Sequence, residues 1–350
     1  MQAPIKVLVV DDAALYRTAL TMALNRDPGI QVVGSAPNGR VALSRIEQLK
    51  PDIVTLDFEM PEMDGLQTLR QMRTQFPGVR AIMASAHTRR GAELTLDALA
   101  AGATDFIEKP SGAGTEQVLQ EVAAQLIPMI NGICGRASSA EPAAAASRQR
   151  TSNLVRLTMP KQLLVIGVST GGPNALAEVI PRLPAGLPVP VAVVQHMPAL
   201  FTAQLADRLA AKSQVPVKEA AEGELLKAGQ VYIAPGDWHL RVKRQGTGFV
   251  AALDQGAKLN SCRPAADALF ESAVEACGHR VLACVMTGMG NDGCKGAAAV
   301  RKAGGAVLAQ SRETCVVWGM PRAVEEAGLA DEVLPLTELA AAMVRYAPKG

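Results

Sequence analysis

The sequence predicts an α/β protein made of two doubly wound parallel-sheet domains, and three observations predict it. Short apolar runs alternate with amphipathic helical patterns in two separate series along the 350 residues, a stretch with neither pattern divides the series, and polar residues fall directly after the apolar runs. Strands buried on both faces read as continuous apolar segments, and sheets of this kind hold ligands beyond the carboxyl ends of their strands.

The first series opens with IKVLVV (5–10), followed by helical patterns at LYRTALTMALN (15–25) and VALSRIEQL (41–49), and continues with strand-like DIVTL (52–56), VRAIMAS (79–85) and DFIE (105–108). Asp11 and Asp12 follow the first run, Asp57 ends VTLD, Ser85 ends AIMAS and Lys109 follows DFIE, so all five gather at one sheet edge. Three carboxylates there repel one another unless a hard cation neutralises them, and Mg²⁺ takes oxygen ligands while keeping waters and phosphoryl oxygens in its shell. Singly, each acid could be a helix N-cap. Together with Ser85 and Lys109 they read as a site.

Residues 135–158, GRASSAEPAAAASRQRTSNLVRLT, are rich in Ala, Ser and Arg without strand or amphipathic period, and read as a linker between folded halves at 1–134 and 159–350. The second series then runs QLLVIGVS (162–169), helical PNALAEVIPRL (173–183), VPVAVVQ (189–195), helical FTAQLADRLAAK (201–212), VLACVMTG (281–288) and helical CKGAAAVRKAG (294–304). Ser169, His196 and Asp292 each come just after one of these strands. Serine is a poor nucleophile until a base takes its proton; imidazole can do so near neutrality, and a carboxylate can fix the imidazole's tautomer. Each residue also has an ordinary structural reading, as an N-cap, a strand-end histidine or a loop acid. Their matching placement favours the chemical one. Of the other histidines, His87, His239 and His279, only His239 in APGDWHL has a site-like setting, and packing or surface explains it as well.

The competing use of these loops is anion binding, because Gly288-Met289-Gly290-Asn291-Asp292-Gly293 fits G-x-G-x-x-G between a strand and a helix. Asp292 within it would oppose a pyrophosphate, and GVSTGGP lacks the lysine of a phosphate-binding P-loop. Charge argues against nucleic acid: the chain carries net +2, with 12 basic and 15 acidic residues in 1–134 and 19 and 17 in 161–350. That weakens a transcription-factor reading, and an adaptor would not need the trio. No run of 18 apolar residues marks a membrane span, and the early acids leave no signal peptide, which predicts a cytoplasmic protein. The six cysteines form no C-x-x-C pair and read as buried thiols.

The acids, Ser85 and Lys109, with the loop LDFEMPEMDG (56–65) and the closing FIEKP (106–110), closely resemble a response-regulator receiver domain. That resemblance implies Asp57 as phosphoacceptor, Asp11 and Asp12 with Asp57 as Mg²⁺ ligands, Ser85 and Lys109 as contacts of the phosphoryl group, and Phe106 as the switch aromatic. With IGVSTGG, VVQHMP, NSCRPAADALF (260–270) and MTGMGNDG added, the chain resembles the chemotaxis protein-glutamate methylesterases almost throughout. Resemblance then implies Ser169, His196 and Asp292 as the catalytic triad of a methylesterase domain, with Thr170 and Met289 as site-lining residues beside the oxyanion donors. Arg263, in the family-like segment 260–270, has the charge to attract an acidic substrate, and an exposed structural arginine is an equal reading. The resemblance further implies γ-methyl glutamates of chemoreceptors as substrate, deamidation of some receptor glutamines, a chemotaxis histidine kinase as phosphodonor, no cofactor for the hydrolysis itself, and a receiver that covers the catalytic face until phosphorylated. Val168 before the nucleophile and Asn291 before the triad acid depart from the commoner residues without removing a reacting group.

Overall fold

The computed structural model describes residues 3–85, 88–109, 115–135 and 160–347, with 115–122 as backbone only. The chain divides into two compact units, Met1–Ser138 and Ser139–Gly350. The expected linker lies outside the described residues except for Gly135.

The first unit is a five-stranded parallel sheet of β1 (Ile5–Val10), β2 (Ile30–Ala36), β3 (Ile53–Asp57), β4 (Arg80–Ser85) and β5 (Asp105–Glu108), in the order β2-β1-β3-β4-β5. Helices α1 (Ala14–Leu24), α2 (Gly39–Leu49), α3 (Gly65–Gln75), α4 (Arg89–Ala100) and α5 (Thr115–Ile133) connect or follow the strands. The first amides of a helix have no partner within it, and side-chain oxygens supply one at several starts here. Asn38 accepts from the Val41 amide, Thr88 from Gly91, and Asp64 and Gln67 form a reciprocal capping box. Strand β2 has no counterpart in the runs picked from sequence. It is an edge strand with mostly half-exposed residues, so its apolar signal is broken.

The second unit has a seven-stranded parallel sheet built from β6 (Leu163–Val168), β7 (Val191–Gln195), β8 (Val217–Glu219), β9 (Val231–Ile233), β12 (Val281–Val285), β13 (Ala306–Gln310) and β14 (Glu332–Leu334). Its order is β14-β13-β12-β6-β7-β9-β8, and a separate antiparallel hairpin joins β10 (His239–Gln245) to β11 (Gly248–Asp254). Helices α6 (Gly172–Val179), α7 (Ala199–Lys212), α8 (Ala266–Cys277), α9 (Cys294–Lys302), α10 (Met320–Glu326) and α11 (Leu336–Tyr346) complete it. Every residue of β6, β7, β12 and β13 is buried, which is why their segments read as unbroken apolar runs. The hairpin packs Leu240, Val242 and Ala251 into the same core as Leu269 and Phe270 of α8. Each large side chain so buried stabilises the fold by roughly 1.5–3 kcal/mol before chain entropy is counted. Strands β8 and β9 are three residues each, too short for a period to show.

In both sheets the first strand of the unit lies inside the order and the chain leaves it in both directions. The reversal falls between β1 and β3 in one unit and between β6 and β12 in the other, the places where open parallel sheets form ligand crevices.

Candidate active sites of the two units

At the first reversal, Asp11 leaves β1 and Asp57 ends β3, both buried, at 1% and 5% exposure. Lys109, just past β5, places its ammonium 2.7 Å from Asp11 Oδ2 and 2.7 Å from Asp57 Oδ2. Exposed Asp12 completes a set of three carboxylates whose oxygens lie within 4.8 Å of one another. Burial pushes the Asp57 carboxyl up to about 6; the charge of Asp11 adds to the rise, and the hydrogen bond and charge of Lys109 oppose it. Three carboxylates against one ammonium leave hard oxygen donors with uncompensated negative charge, which suits a small divalent cation. Asp57 keeps one backbone donor, the Phe58 amide on Oδ1 at 2.8 Å. A cavity of about 190 Å³ opens beside it, lined by Asp12, Asp57, Ser85, Thr88 and Lys109 among others. Ser85 is buried at the end of β4, and half-buried Phe106 lies in β5. Tyr16 was not legible as part of this group: its ring lies 5.0 Å from the Lys109 ammonium, and burial raises its phenol, with Asp11 and Asp57 adding to the effect. Pro110, the last residue of FIEKP, and His87 lie outside the described residues.

At the second reversal, Ser169 follows β6, His196 follows β7 and Asp292 sits in the loop after β12, three neighbouring strands. Backbone bonds lace these ends together. Ser169 donates to Thr287 O at 2.9 Å, His196 donates to Val168 O at 3.1 Å, and the Gln195 side-chain amide reaches Ser169 O at 3.0 Å and His196 O at 3.2 Å. Two glycines are required: Gly171 takes φ +73° at the start of α6, and a Cβ on Gly288 would lie 2.7 Å from Ser169 Cβ. The STGG turn is therefore a tight perch, stabilised by backbone and by a neighbouring amide.

His196 Nε2 lies 2.7 Å from Asp292 Oδ2, and both side chains are largely buried. Asp292 accepts three further bonds, from the Ala266 amide (2.6 Å), the Asp267 amide (3.1 Å) and Asn260 Nδ2 (2.9 Å). It thus caps helix α8, whose own N-cap residue Ala265 offers no side-chain bond. Burial works to raise the Asp292 carboxyl, but the bond and charge of His196, with the two amides, hold it below the usual carboxylate range. Burial likewise disfavours charge on His196, yet its bonds to Asp292 and Cys262 carry it up to about 9. The other ring nitrogen, Nδ1, faces Cys262 Sγ at 3.5 Å. Among the described residues the Ser169 hydroxyl makes no hydrogen bond. Catalytic bonds of this kind often form fully only once substrate is bound.

Thr170 is buried and Met289 exposed beside the serine turn, and neither amide donates to an acceptor among the described residues. Arg263 is otherwise engaged. Its Nε and Nη2 meet Asp237 Oδ1 at 3.0 and 2.6 Å, and Nη1 meets the carbonyls of Gln255 and Gly256, so its guanidinium clamps two loops. His239 is buried with Nε2 3.0 Å from Ala257 O, a packing position. The expectation of uniformly buried thiols needs correction. Cys277 and Cys284 are buried and their thiols pushed up by burial, whereas half-buried Cys262 touches His196. Asn260, Cys262, Asp267 and Gln195 also belong to the site, and no sequence pattern marks them as such. Nothing in the spacing of NSCRPAAD (260–267) says which atoms turn toward Asp292.

Residues 164–343 match the sequence profile of the CheB methylesterase family, and residues 7–123 that of the response regulator receiver domain. A "Protein-glutamate methylesterase/protein-glutamine glutaminase" of a Nocardioides species is 49% identical over 349 residues, covering 97% of this chain and 95% of that protein. The protein of the same name from Thermotoga maritima is 43% identical over 334 residues, covering 95% of each. The crystal structure of the Thermotoga maritima CheB methylesterase catalytic domain superimposes with a TM-score of 0.52 at 47% identity, covering 53% of this chain and 98% of that domain.

Proposed function

The chain belongs to the CheB methylesterase family, and from that premise we infer how its two units share one task. It is a phosphorylation-regulated hydrolase that demethylates glutamate γ-methyl esters on chemotaxis receptors and deamidates receptor glutamines, giving sensory adaptation. The assignment of roles is supported above all by the 2.7 Å bond between His196 and Asp292 at strand ends shared with Ser169.

In the proposed reaction the Ser169 hydroxyl attacks the ester carbonyl while His196 takes its proton at Nδ1, the nitrogen not committed to Asp292. The Thr170 and Met289 amides face the oxyanion, one such donor being worth about 10² to 10³ in rate. His196 then protonates the departing methoxide and methanol leaves; water, deprotonated by His196, attacks the acyl carbonyl, and His196 returns that proton to the Ser169 oxygen as glutamate departs. With glutamine the leaving group is ammonia. Asp292, saturated by donors, holds the imidazole in one orientation and stabilises its cation. The hydrolysis needs no cofactor.

Control is assigned to the first unit. Asp57 is the phosphoacceptor, with a chemotaxis histidine kinase as donor, and Asp11, Asp12 and Asp57 hold Mg²⁺. When bound, that ion supplies charge neutralisation for the phosphoryl oxygens. Lys109 pairs with the phosphoryl group, Ser85 contacts it, and Phe106 reports the change. The regulation is a population shift in which an unphosphorylated receiver covers the catalytic face and the phosphoryl group favours the uncovered arrangement. The reading puts the enzyme in the cytoplasm, on the cytoplasmic helices of receptors, without a nucleic-acid partner or membrane insertion. Among the described residues no helix is long and apolar enough to cross a membrane.

Methanol release from methylated receptor membranes tests this, with wild type and Ser169→Ala compared with and without a small-molecule phosphodonor and Mg²⁺. Release that needs Ser169 and rises with phosphodonor is expected. Undiminished release from Ser169→Ala overturns the triad, and serine-dependent release without a rise overturns the control.

A further inference from the structure

One tight turn meets both members of the His196–Asp292 pair. Leu259 and Cys262 exchange backbone hydrogen bonds of 3.1 and 2.8 Å, and between them Asn260 and Ser261 take φ of +49° and +63°. Non-glycine residues adopt that conformation where the surroundings impose it, and two in succession mark a segment held for a purpose. Asn260 Nδ2 lies 2.9 Å from Asp292 Oδ1 and 2.9 Å from Asp267 Oδ2. Two residues on, Cys262 Sγ lies 3.5 Å from His196 Nδ1.

We propose that Asn260 and Cys262 are positioning residues of the hydrolase, Asn260 by bridging two buried carboxylates so that Asp292 Oδ2 faces the imidazole, Cys262 by keeping Nδ1 in its working orientation between turnovers. The proposal rests on the triad reading above. Asp267 and Asp292 are 3% and 2% exposed and adjoin one another, an arrangement that needs donors to hold it. Burial and the charge of Asp292 raise the Asp267 carboxyl, while the Gly296 amide and Asn260 oppose the rise. One primary amide has two hydrogens, enough for both acids. A thiol is a weak partner, so it can hold the ring and still give way to a serine hydroxyl when substrate arrives. A carboxylate in its place would keep the base occupied.

The groups that bear on His196 are Asp292 from the loop after β12, Cys262 from the turn, and Asp267 at the start of α8 acting through Asn260. Arg263, next on the turn, is directed to Asp237 instead. Losing the Asn260 donor leaves more negative charge on Asp292 and favours the imidazolium. Losing the sulfur removes a contact that also favours it. The two losses therefore act in opposite directions.

The test is the pH dependence of kcat/KM for methanol release by the full chain, with folding checked by circular dichroism and thermal melting. Asn260→Ala should move the rising limb to higher pH and Cys262→Ala to lower pH, each by about half a unit or more. Cys262→Ser, which keeps a hydrogen-bonding atom, should stay near wild type. Asn260→Ala should also lose about tenfold or more in rate through misplacement. Limbs that coincide with wild type, or move the same way, overturn the proposal. Should Asn260→Ala not fold, the two Cys262 variants decide: a shift in alanine absent from serine supports it, and no shift overturns it. Ser169→Ala in the same assay separates this from the triad reading, since methanol release that survives there removes the triad itself.

Discussion

Asp57 and Asp292 stand at corresponding places in the two sheets, each beside the point where strand order reverses, and their surroundings treat them oppositely. Asp57 accepts one backbone amide and one ammonium, shares its site with Asp11 and Asp12, and has its carboxyl pushed up to about 6 by burial. Asp292 accepts from His196, Asn260 and two amides at the head of α8, and is held below the usual range despite burial. The difference suits the role proposed for each. A carboxylate that must attack phosphorus needs an oxygen not locked to the protein, with charge supplied by a cation; one that must orient a histidine works best with every lone pair committed. Sheet topology chooses the position, and neighbouring donors choose the role.

If that division is right, the largest effect comes from the nucleophile of the second site. Ser169→Ala should lower methanol release by on the order of 10⁴-fold or more, while phosphorylation of Asp57, followed with a labelled phosphodonor, stays intact. Asp292→Asn should cost on the order of 10⁴-fold in kcat by disturbing the His196 tautomer. Asp57→Asn should leave basal turnover unchanged and abolish only the response to phosphodonor. Equal losses from the two asparagine variants would erase the distinction between an orienting and a reacting carboxylate.

The pH profile refines it. His196 has a folded pKa raised from 6.5 to about 9, so the stability gained from its protonated pairing with Asp292 is fully present below about pH 6.5 and lost as pH rises through about 9. Proton abstraction needs the neutral ring, so kcat/KM should climb by roughly fiftyfold between about pH 7 and 9 while the thermal midpoint falls. A rising limb centred near 6.5 would show that Asp292 does not perturb the base.

Lys109→Ala should destabilise the first unit by about 3 kcal/mol, because Asp11 and Asp57 then face each other without a cation. Added Mg²⁺ should recover part of the loss in a chemical denaturation curve. No change would mean that the two acids are not both ionised. The smallest effect belongs to Arg263→Ala, with an expected cost of about 1–3 kcal/mol from its lost bonds to Asp237 and two carbonyls and a change in KM below about threefold. A large rise in KM with unchanged stability would make Arg263 a substrate contact after all.

Much of both sites was legible because the residues proposed for catalysis and phosphoryl binding end strands, and a buried parallel strand announces its own end. IKVLVV stops at Asp11, VTL at Asp57, LLVIGV at Ser169 and VAVVQ at His196. Edge strand β2, short β8 and β9, and the β10–β11 hairpin carry weaker periodicity, because burial on one face or over three residues leaves little pattern to read. Asn260, Cys262 and Asp267 were hidden for a different reason. They reach Asp292 and His196 across 25 to 66 residues of chain, Asn260 and Cys262 from a turn with two left-handed residues and Asp267 from the start of α8.

The sequence by itself determined the two α/β units, the residues proposed to react in each, and, through the resemblance they carry, the family. Those depend on local pattern and on residue chemistry, which are written in order along the chain. Only the tertiary structure decided which nitrogen of His196 meets Asp292, that Asp292 caps α8, that Cys262 touches the base, and that Arg263 serves as a clamp. These are contacts between segments distant in sequence, and they exist only once sheet order and loop conformation have brought the donors within hydrogen-bond reach.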